Sequence, residues 1–249
     1  MSLPLEERIG YHPDPNQPTG GRSKRKVEAR HRLIRGNVDF SGKRVLDLGC
    51  SGGYFGFALS DTVSSYLGVD GDEPVIERNR NVARQRSLVN VEFQSAAITP
   101  SYIRGLAPVD VALFLSVFHH MLGGSDAYDW NRPGEFDPFD LLRALRERAD
   151  VLVFETGYPD EGYDWCDRLP PMTPTPRAWV VRTLREAGFR HVEVVPAGTG
   201  RSFTEGLRRS VARAMGYARH PRPLAGRIAA HVFQVDSRDN RDLFIARNN

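Results

Sequence analysis

The residues best placed to do chemistry sit where apolar runs end. The run Arg44-Val45-Leu46-Asp47-Leu48 gives way to Gly49-Cys50-Ser51-Gly52-Gly53 and then to Tyr54-Phe55-Gly56, which reads as a buried strand, a tight turn and a helix. Glycines at such a turn let the backbone approach a ligand and adopt positive φ without strain. A ligand held there lies beyond the carboxyl end of the strand, where α/β sheets bind nucleotides. The next run, Tyr66-Leu67-Gly68-Val69, closes on Asp70. That acid falls roughly 20 residues past the first glycine, the offset at which a carboxylate can accept hydrogen bonds from a ribose diol. It could equally serve the turn before Glu73-Pro74, although Asp72 is as well placed to cap a helix there.

The type of ligand follows from what the loop lacks. A dinucleotide fingerprint requires G-x-G-x-x-G with a pyrophosphate at the helix start. Here Ser51 stands at the second glycine position and Gly52-Gly53 follow, a poor match. The loop instead resembles motif I of the class I S-adenosylmethionine-dependent methyltransferases, D-x-G-x-G-x-G. Asp47, Gly49 and Gly53 are in register with it, and Ser51 replaces the middle glycine. The resemblance implies S-adenosyl-L-methionine as cofactor. Asp47, Gly49, Cys50, Ser51 and Gly53 would then back onto its methionine portion, Asp70 and Gly71 would hold the ribose, and Leu115 and Ser116 would line the same edge. After Val91-Glu92-Phe93 the family often offers an acid to adenine. This chain has Gln94-Ser95-Ala96-Ala97-Ile98, so Ser95, the backbone at Ala96 and Ala97, or Ile98 must make that contact.

The reaction side is carried by Val109-Asp110-Val111-Ala112-Leu113-Phe114-Leu115-Ser116-Val117-Phe118-His119-His120, read as the central strand with its two histidines emerging at the active edge. Leu-Ser-Val-Phe-His-His is similar to motif IV segments of methyltransferases acting on tRNA wobble uridine or phosphorylated saccharides. It is especially similar to the methyltransferase half of the kinase–methyltransferases that cap O-antigen polymannose, over roughly residues 43–155. Imidazole titrates near neutral pH and can take a proton from a hydroxyl or amine acceptor. His119 and His120 are therefore the candidate bases, with core packing of one of them as the alternative. Val151-Leu152-Val153-Phe154-Glu155 puts Glu155 at the same edge, to orient a histidine or bind substrate, and Tyr158 follows as a candidate substrate contact. Nothing in the spacing selects a metal site, and none is expected.

The elements that must position these groups alternate. Strands are expected at Arg44–Leu48, Ser65–Val69, Val91–Gln94, Val109–Leu115, Val151–Glu155, Val192–Val195 and Leu243–Ala246. Helices are expected at Lys24–Asn37, Tyr54–Ser60, Pro74–Ser87, Pro138–Arg148 and Pro176–Ala187. This order argues for a Rossmann-like, doubly wound, mostly parallel seven-stranded sheet with helices on both faces. Residues 1–40 read as an arm and helix covering the active edge, and 41–249 as the methyltransferase domain. Within it, 198–240 interrupts the last strand pair as a lid-like insertion, long for a simple α/β connection.

Charge is uneven. Residues 22–35 carry seven basic side chains against Glu28, and 201–227 carry seven arginines against Glu205, although the whole chain is only +3. Both basic segments are expected at the active edge, with Arg208 and Arg209 as substrate contacts, because arginine suits bidentate phosphate binding. The expected reaction is methyl transfer to an O or N atom of an anionic small-molecule or saccharide-type acceptor. The alternatives are an RNA (tRNA) methyltransferase or related alkyltransferase, and a non-catalytic binding protein built on a cofactor fold. Aromatic residues that could stack on bases are sparse among the arginines, only Phe203 and Tyr217. No run approaches the ~18 apolar residues of a membrane span, the N-terminus lacks the form of a signal peptide, and two cysteines make no disulfide framework. A cytoplasmic protein is expected.

Overall fold

The computed structural model describes residues 22–123, 136–159, 161, 164–196 and 241–248. Helix α1 (Arg22–Arg35) is followed by β1 (Arg44–Leu48), α2 (Tyr54–Leu59), β2 (Ser65–Asp70), α3 (Glu73–Gln85), β3 (Val91–Ser95), α4 (Pro100–Gly105) and β4 (Val109–Leu115). Then come α5 (Phe118–Gly123), α6 (Pro138–Arg148), β5 (Ala149–Glu155), a 3₁₀ turn (Asp164–Arg168), α7 (Pro176–Glu186), β6 (His191–Val195) and β7 (Leu243–Arg247). The strands form one seven-stranded sheet in the order β3-β2-β1-β4-β5-β7-β6. Among the described strands, β7 runs opposite in direction to the other six. The chain reverses its direction of winding between β1 and β4, and the carboxyl ends of those two strands open the crevice where such sheets hold ligands.

Both faces of the sheet are covered, and residue parity shows how. Leu46, Phe114, Phe154 and Phe244 belong to one buried cluster with Leu141, Leu145 and Val180 of α6 and α7. Their neighbours Val45, Leu113, Val153 and Ile245 belong to a second cluster with Phe55, Ile76 and Ile34 of α2, α3 and α1. Side chains alternate across a strand, so one register divides the core into two halves. Asp47 has the parity of Val45 and therefore points toward the α2 face. Leu113 of β4 and Gly68 of β2 flank it.

Two short helices depart from the sequence expectation. The apolar run Val109–Phe118 does not continue as strand to the histidines: β4 stops at Leu115, Ser116 turns with φ 61°, and Phe118–Gly123 is helical. His119 and His120 thus sit on α5 and not on a strand end. Helix α4 was not expected; Thr99 caps it by accepting the Tyr102 amide, and Pro100 opens its first turn. Asp72, not Asp70, caps α3, by accepting from the Val75 amide. The strands β6 and β7 pair Val195 with Leu243, so the chain leaves β6 and re-enters β7 at the carboxyl edge of the parallel strands, as expected. The arm 1–21 and the insertion 198–240, with Arg208 and Arg209, lie outside the described residues.

The ring of Phe154, 1% exposed, meets Phe118, Phe114 and Phe244 at centroid distances of 5.5, 5.9 and 6.4 Å. Phe154→Ala should lower unfolding free energy by about 3–5 kcal/mol, read as an earlier urea midpoint at unchanged slope.

Candidate functional site

The turn after β1 is held from outside by the protein itself. Its amides at Gly49 and Cys50 donate to the Val69 carbonyl, and Gly53 donates back to Cys50. The Ser51 amide donates to Asp70 Oδ2 at 2.9 Å, the Ser51 carbonyl accepts from Asn79 Nδ2 at 2.7 Å, and the Gly52 carbonyl accepts from Arg78 at 3.1 Å. Helix α3 therefore grips the loop through Arg78 and Asn79. Neither stood out in the sequence; the signal that could have found Asn79 is an amide on the buried stripe of α3.

Gly49 and Gly53 have φ of 76° and 77°. A side chain at Gly49 would collide with Val117, just past the end of β4, and one at Gly53 would come within 2.9 Å of the Phe93 ring. The crevice between β1 and β4 is closed to side chains at its base. Ser51 takes φ 45° without being glycine, which costs about 1–2 kcal/mol. The middle position of the motif thus keeps the left-handed conformation although its residue differs.

Beneath this loop lie two buried carboxylates. Asp47 is 1% exposed and accepts from the Tyr66 hydroxyl at 2.5 Å. Asp70 is 6% exposed, and its oxygens take the Ser51 and Asp72 amides. No described residue forms an ion pair with either. Burial drives Asp47 from 3.8 up to about 7, eased by the Tyr66 hydrogen bond and increased by nearby Asp70. Burial also raises Asp70, against the pull of its backbone donors. Buried beside both acids, the Cys50 thiol is pushed well up and stays neutral. Gly71 is half-buried beside Asp70, Ala96 is half-buried with its amide on the Asp70 carbonyl at 3.1 Å, and Ala97 is exposed. These residues line one continuous edge from β1 to β3.

On the other side of the crevice, acids and arginines neutralise each other. Glu155 receives Arg30 of α1 through two contacts of 3.0 Å, and Ser116 Oγ donates to it at 2.5 Å. Arg241, just before β7, donates to Ser116 Oγ at 3.0 Å and grips Glu161 at 2.8 and 2.6 Å. Its guanidinium also lies 3.7 Å from Glu155. The next residue, Asp242, takes a bidentate contact from Arg177 at 2.9 Å. Sequence reasoning found Glu155 and Ser116 here and expected the basic segment 22–35, which carries Arg30, at this edge, but it showed neither the Arg30 pairing nor Arg241, each 125 residues from the group it meets. Leu115 is buried below. Tyr158 is turned inward, 4% exposed, with its amide on Glu161 and its hydroxyl 3.4 Å from Asp242.

The two histidines differ. His119 is buried, and its Nδ1 accepts the Gly157 amide at 3.1 Å. When this ring is neutral its proton must then sit on Nε2. His120 is only half-buried, its ring 4.1 Å from that of His119. No group of three or more His, Cys, Asp or Glu suited to a metal ion occurs among the described residues. No described helix is long and apolar enough to cross a membrane.

Residues 39–124 match the family model described as a methyltransferase domain. The matched stretch contains the glycine turn, Asp70, the β3 edge, Ser116 and both histidines. A 23S rRNA (uracil(1939)-C(5))-methyltransferase RlmD of Alkalilimnicola ehrlichii is 35% identical over 112 residues, covering 45% of this chain and 23% of that protein. The O-antigen chain terminator bifunctional methyltransferase/kinase WbdD of Escherichia coli is 28% identical over 123 residues, 49% of this chain and 16% of that one. The chain thus spans less than a quarter of the length of either relative. Among solved structures, the [4+2]-cyclase SpnF aligns with a TM-score of 0.57 at 18% identity, over 98% of this chain and 91% of that one. The fold is the Rossmann-like methyltransferase fold.

Asp47 gives the free protein a pH signature. Its carboxyl takes up a proton more readily in the folded state, so its contribution to stability is complete below about 4 and is lost as pH rises through about 7. Thermal denaturation without ligand should show wild type losing stability as pH rises from about 4 to about 7 and levelling off above that. Asp47→Asn should flatten that decline.

Proposed function

We propose that the chain is an S-adenosyl-L-methionine-dependent methyltransferase acting on an O or N atom of an anionic small-molecule or saccharide-type acceptor. The observation that carries the cofactor is the pair Asp47 and Asp70, buried under a glycine turn without an ion-pair partner among the described residues. Buried charge needs an opposite charge or a proton. A ligand bearing a sulfonium and an ammonium meets that need, whereas a pyrophosphate would be repelled. Gly49, Ser51 and Gly53 would admit its methionine portion. The Asp70 carboxylate accepts backbone amides, among them Ser51 and Asp72, and its remaining lone pairs would accept a ribose hydroxyl. Ala96 and the exposed Ala97 would offer adenine an apolar edge.

When bound, the cofactor supplies a methyl group already activated by positive charge, so the protein's task is mainly alignment. Ser116, fixed between Glu155 and Arg241, holds the wall of the crevice facing the turn. His119, anchored on the Gly157 amide, positions the pair of imidazoles. His120 is the group able to take the acceptor's proton. Glu155 then serves as a positioning residue between two guanidiniums. In methyl transfer to a hydroxyl or protonated amine, His120 would take the acceptor's proton.

A second acceptor class has an observation of its own: the 35% identical relative acts on ribosomal RNA by its name, and the basic segments 22–35 and 201–227 would suit a phosphate backbone. Its mark would be RNA affinity falling steeply as salt rises, against salt-tolerant binding of a small acceptor.

Calorimetry with S-adenosylmethionine tests the cofactor. Saturable binding is expected, with NAD giving no heat. Asp70→Ala should weaken binding by about tenfold or more, given ~1.5–3 kcal/mol for hydrogen bonds to a charged group. NAD binding with no response to S-adenosylmethionine would contradict the proposal. In the loaded enzyme, His120→Ala should slow transfer by about 100-fold with little change in cofactor affinity.

A further inference from the structure

The cofactor and its spent form differ by one charge. Loss of the methyl group turns a sulfonium into a neutral thioether, leaving S-adenosylhomocysteine with only its ammonium and carboxylate. A site that releases product and rebinds substrate gains from sensing that difference, and the two acids under the turn are placed to do so.

Of the two, Asp70 has the stronger backbone support for its charge: burial raises its carboxyl, but its oxygens accept amides of Ser51 and Asp72, and such donors favour the carboxylate. Asp47 has a single hydrogen-bond partner among the described residues, the Tyr66 hydroxyl. The titratable groups facing it are Tyr66 and Asp70 from β2 and Cys50 from the loop, while β4 sets Leu113 beside it. All three are acids, and none can lend it a positive charge. Burial keeps the Tyr66 and Cys50 protons in place through the neutral range. Asp47 is thus the group in this cluster free to exchange a proton as the charge above the turn changes.

Resting on the reading of the turn as the S-adenosylmethionine site, we propose that Asp47 sets its preference for the charged sulfonium over the thioether product. It holds a proton when no cation lies above the turn and releases it to solvent when one is seated. The pairing of a newly ionised Asp47 with the sulfonium is then part of the binding free energy of the substrate and absent from that of the product. Its position near pH 7 places this exchange where a cell operates.

The test is calorimetric titration of the whole chain with S-adenosylmethionine and with S-adenosylhomocysteine, between pH 5.5 and 8.5, in buffers of differing ionisation heat. For S-adenosylmethionine, affinity should rise about tenfold per pH unit below 7 and level off above it, with about one proton released at pH 6. S-adenosylhomocysteine affinity should change less than about twofold across the range. Asp47→Asn should abolish the proton release and cut the substrate-to-product affinity ratio by about tenfold, the scale expected for one charge pair at partial burial. Tyr66→Phe offers a second handle: removing a donor to the carboxylate should move the levelling-off to higher pH. S-adenosylmethionine binding that is tight, pH-independent and without proton release would overturn the role of Asp47 while leaving the cofactor reading intact. Absence of binding at every pH would overturn both.

Discussion

The arrangement depends on an electrostatic debt left open on one side of a crevice and closed on the other. Under the turn after β1, Asp47 and Asp70 are buried with hydroxyl and amide donors but no ion-pair partner from the described residues. Across the gap, beyond β4 and β5, Arg30, Arg241, Glu155 and Glu161 neutralise one another around Ser116. A cation entering the crevice is therefore drawn toward the β1–β2 side. Its orientation follows, and with it the direction in which a methyl group would project.

The closed side does structural work of another kind. Replacing one partner of a buried ion pair leaves the other uncompensated, at a cost of about 3–5 kcal/mol. Here the cost is spread over three elements far apart in the chain: α1, the end of β5 and the entry to β7. Glu161 shows the strain of this burial. Its carboxyl is raised by desolvation although Arg241 sits on it. Because Ser116 holds φ 61° inside the same network, the wall opposite the turn owes its shape to contacts between distant residues as much as to β4 itself.

The division between what could be read in the sequence and what could not follows from range. Strand positions were legible because apolar runs bounded by glycine, proline and acids mark each one, and the turn residues Gly49, Gly53 and Asp70 sit at fixed offsets from those ends. The six-residue helices α4 and α5 are too short to show a 3.6-residue period, and Phe118 prolongs the apolar run of β4, so His119 and His120 looked like a strand tip. The Arg30 pairing and Arg241 were hidden because no local pattern reports a contact across 125 residues. Asp47 was legible as a motif acid. Its inward turn toward Tyr66 required knowing which parity of β1 faces α2.

The most direct measurement of the central claim is a crystal structure of the protein grown with S-adenosylhomocysteine. The account predicts density across the carboxyl ends of β1 and β2, with the amino-acid end against Gly49–Gly53 and both ribose hydroxyls on Asp70. Density seated elsewhere, or a ribose that leaves Asp70 untouched while the turn stays open to solvent, would contradict it.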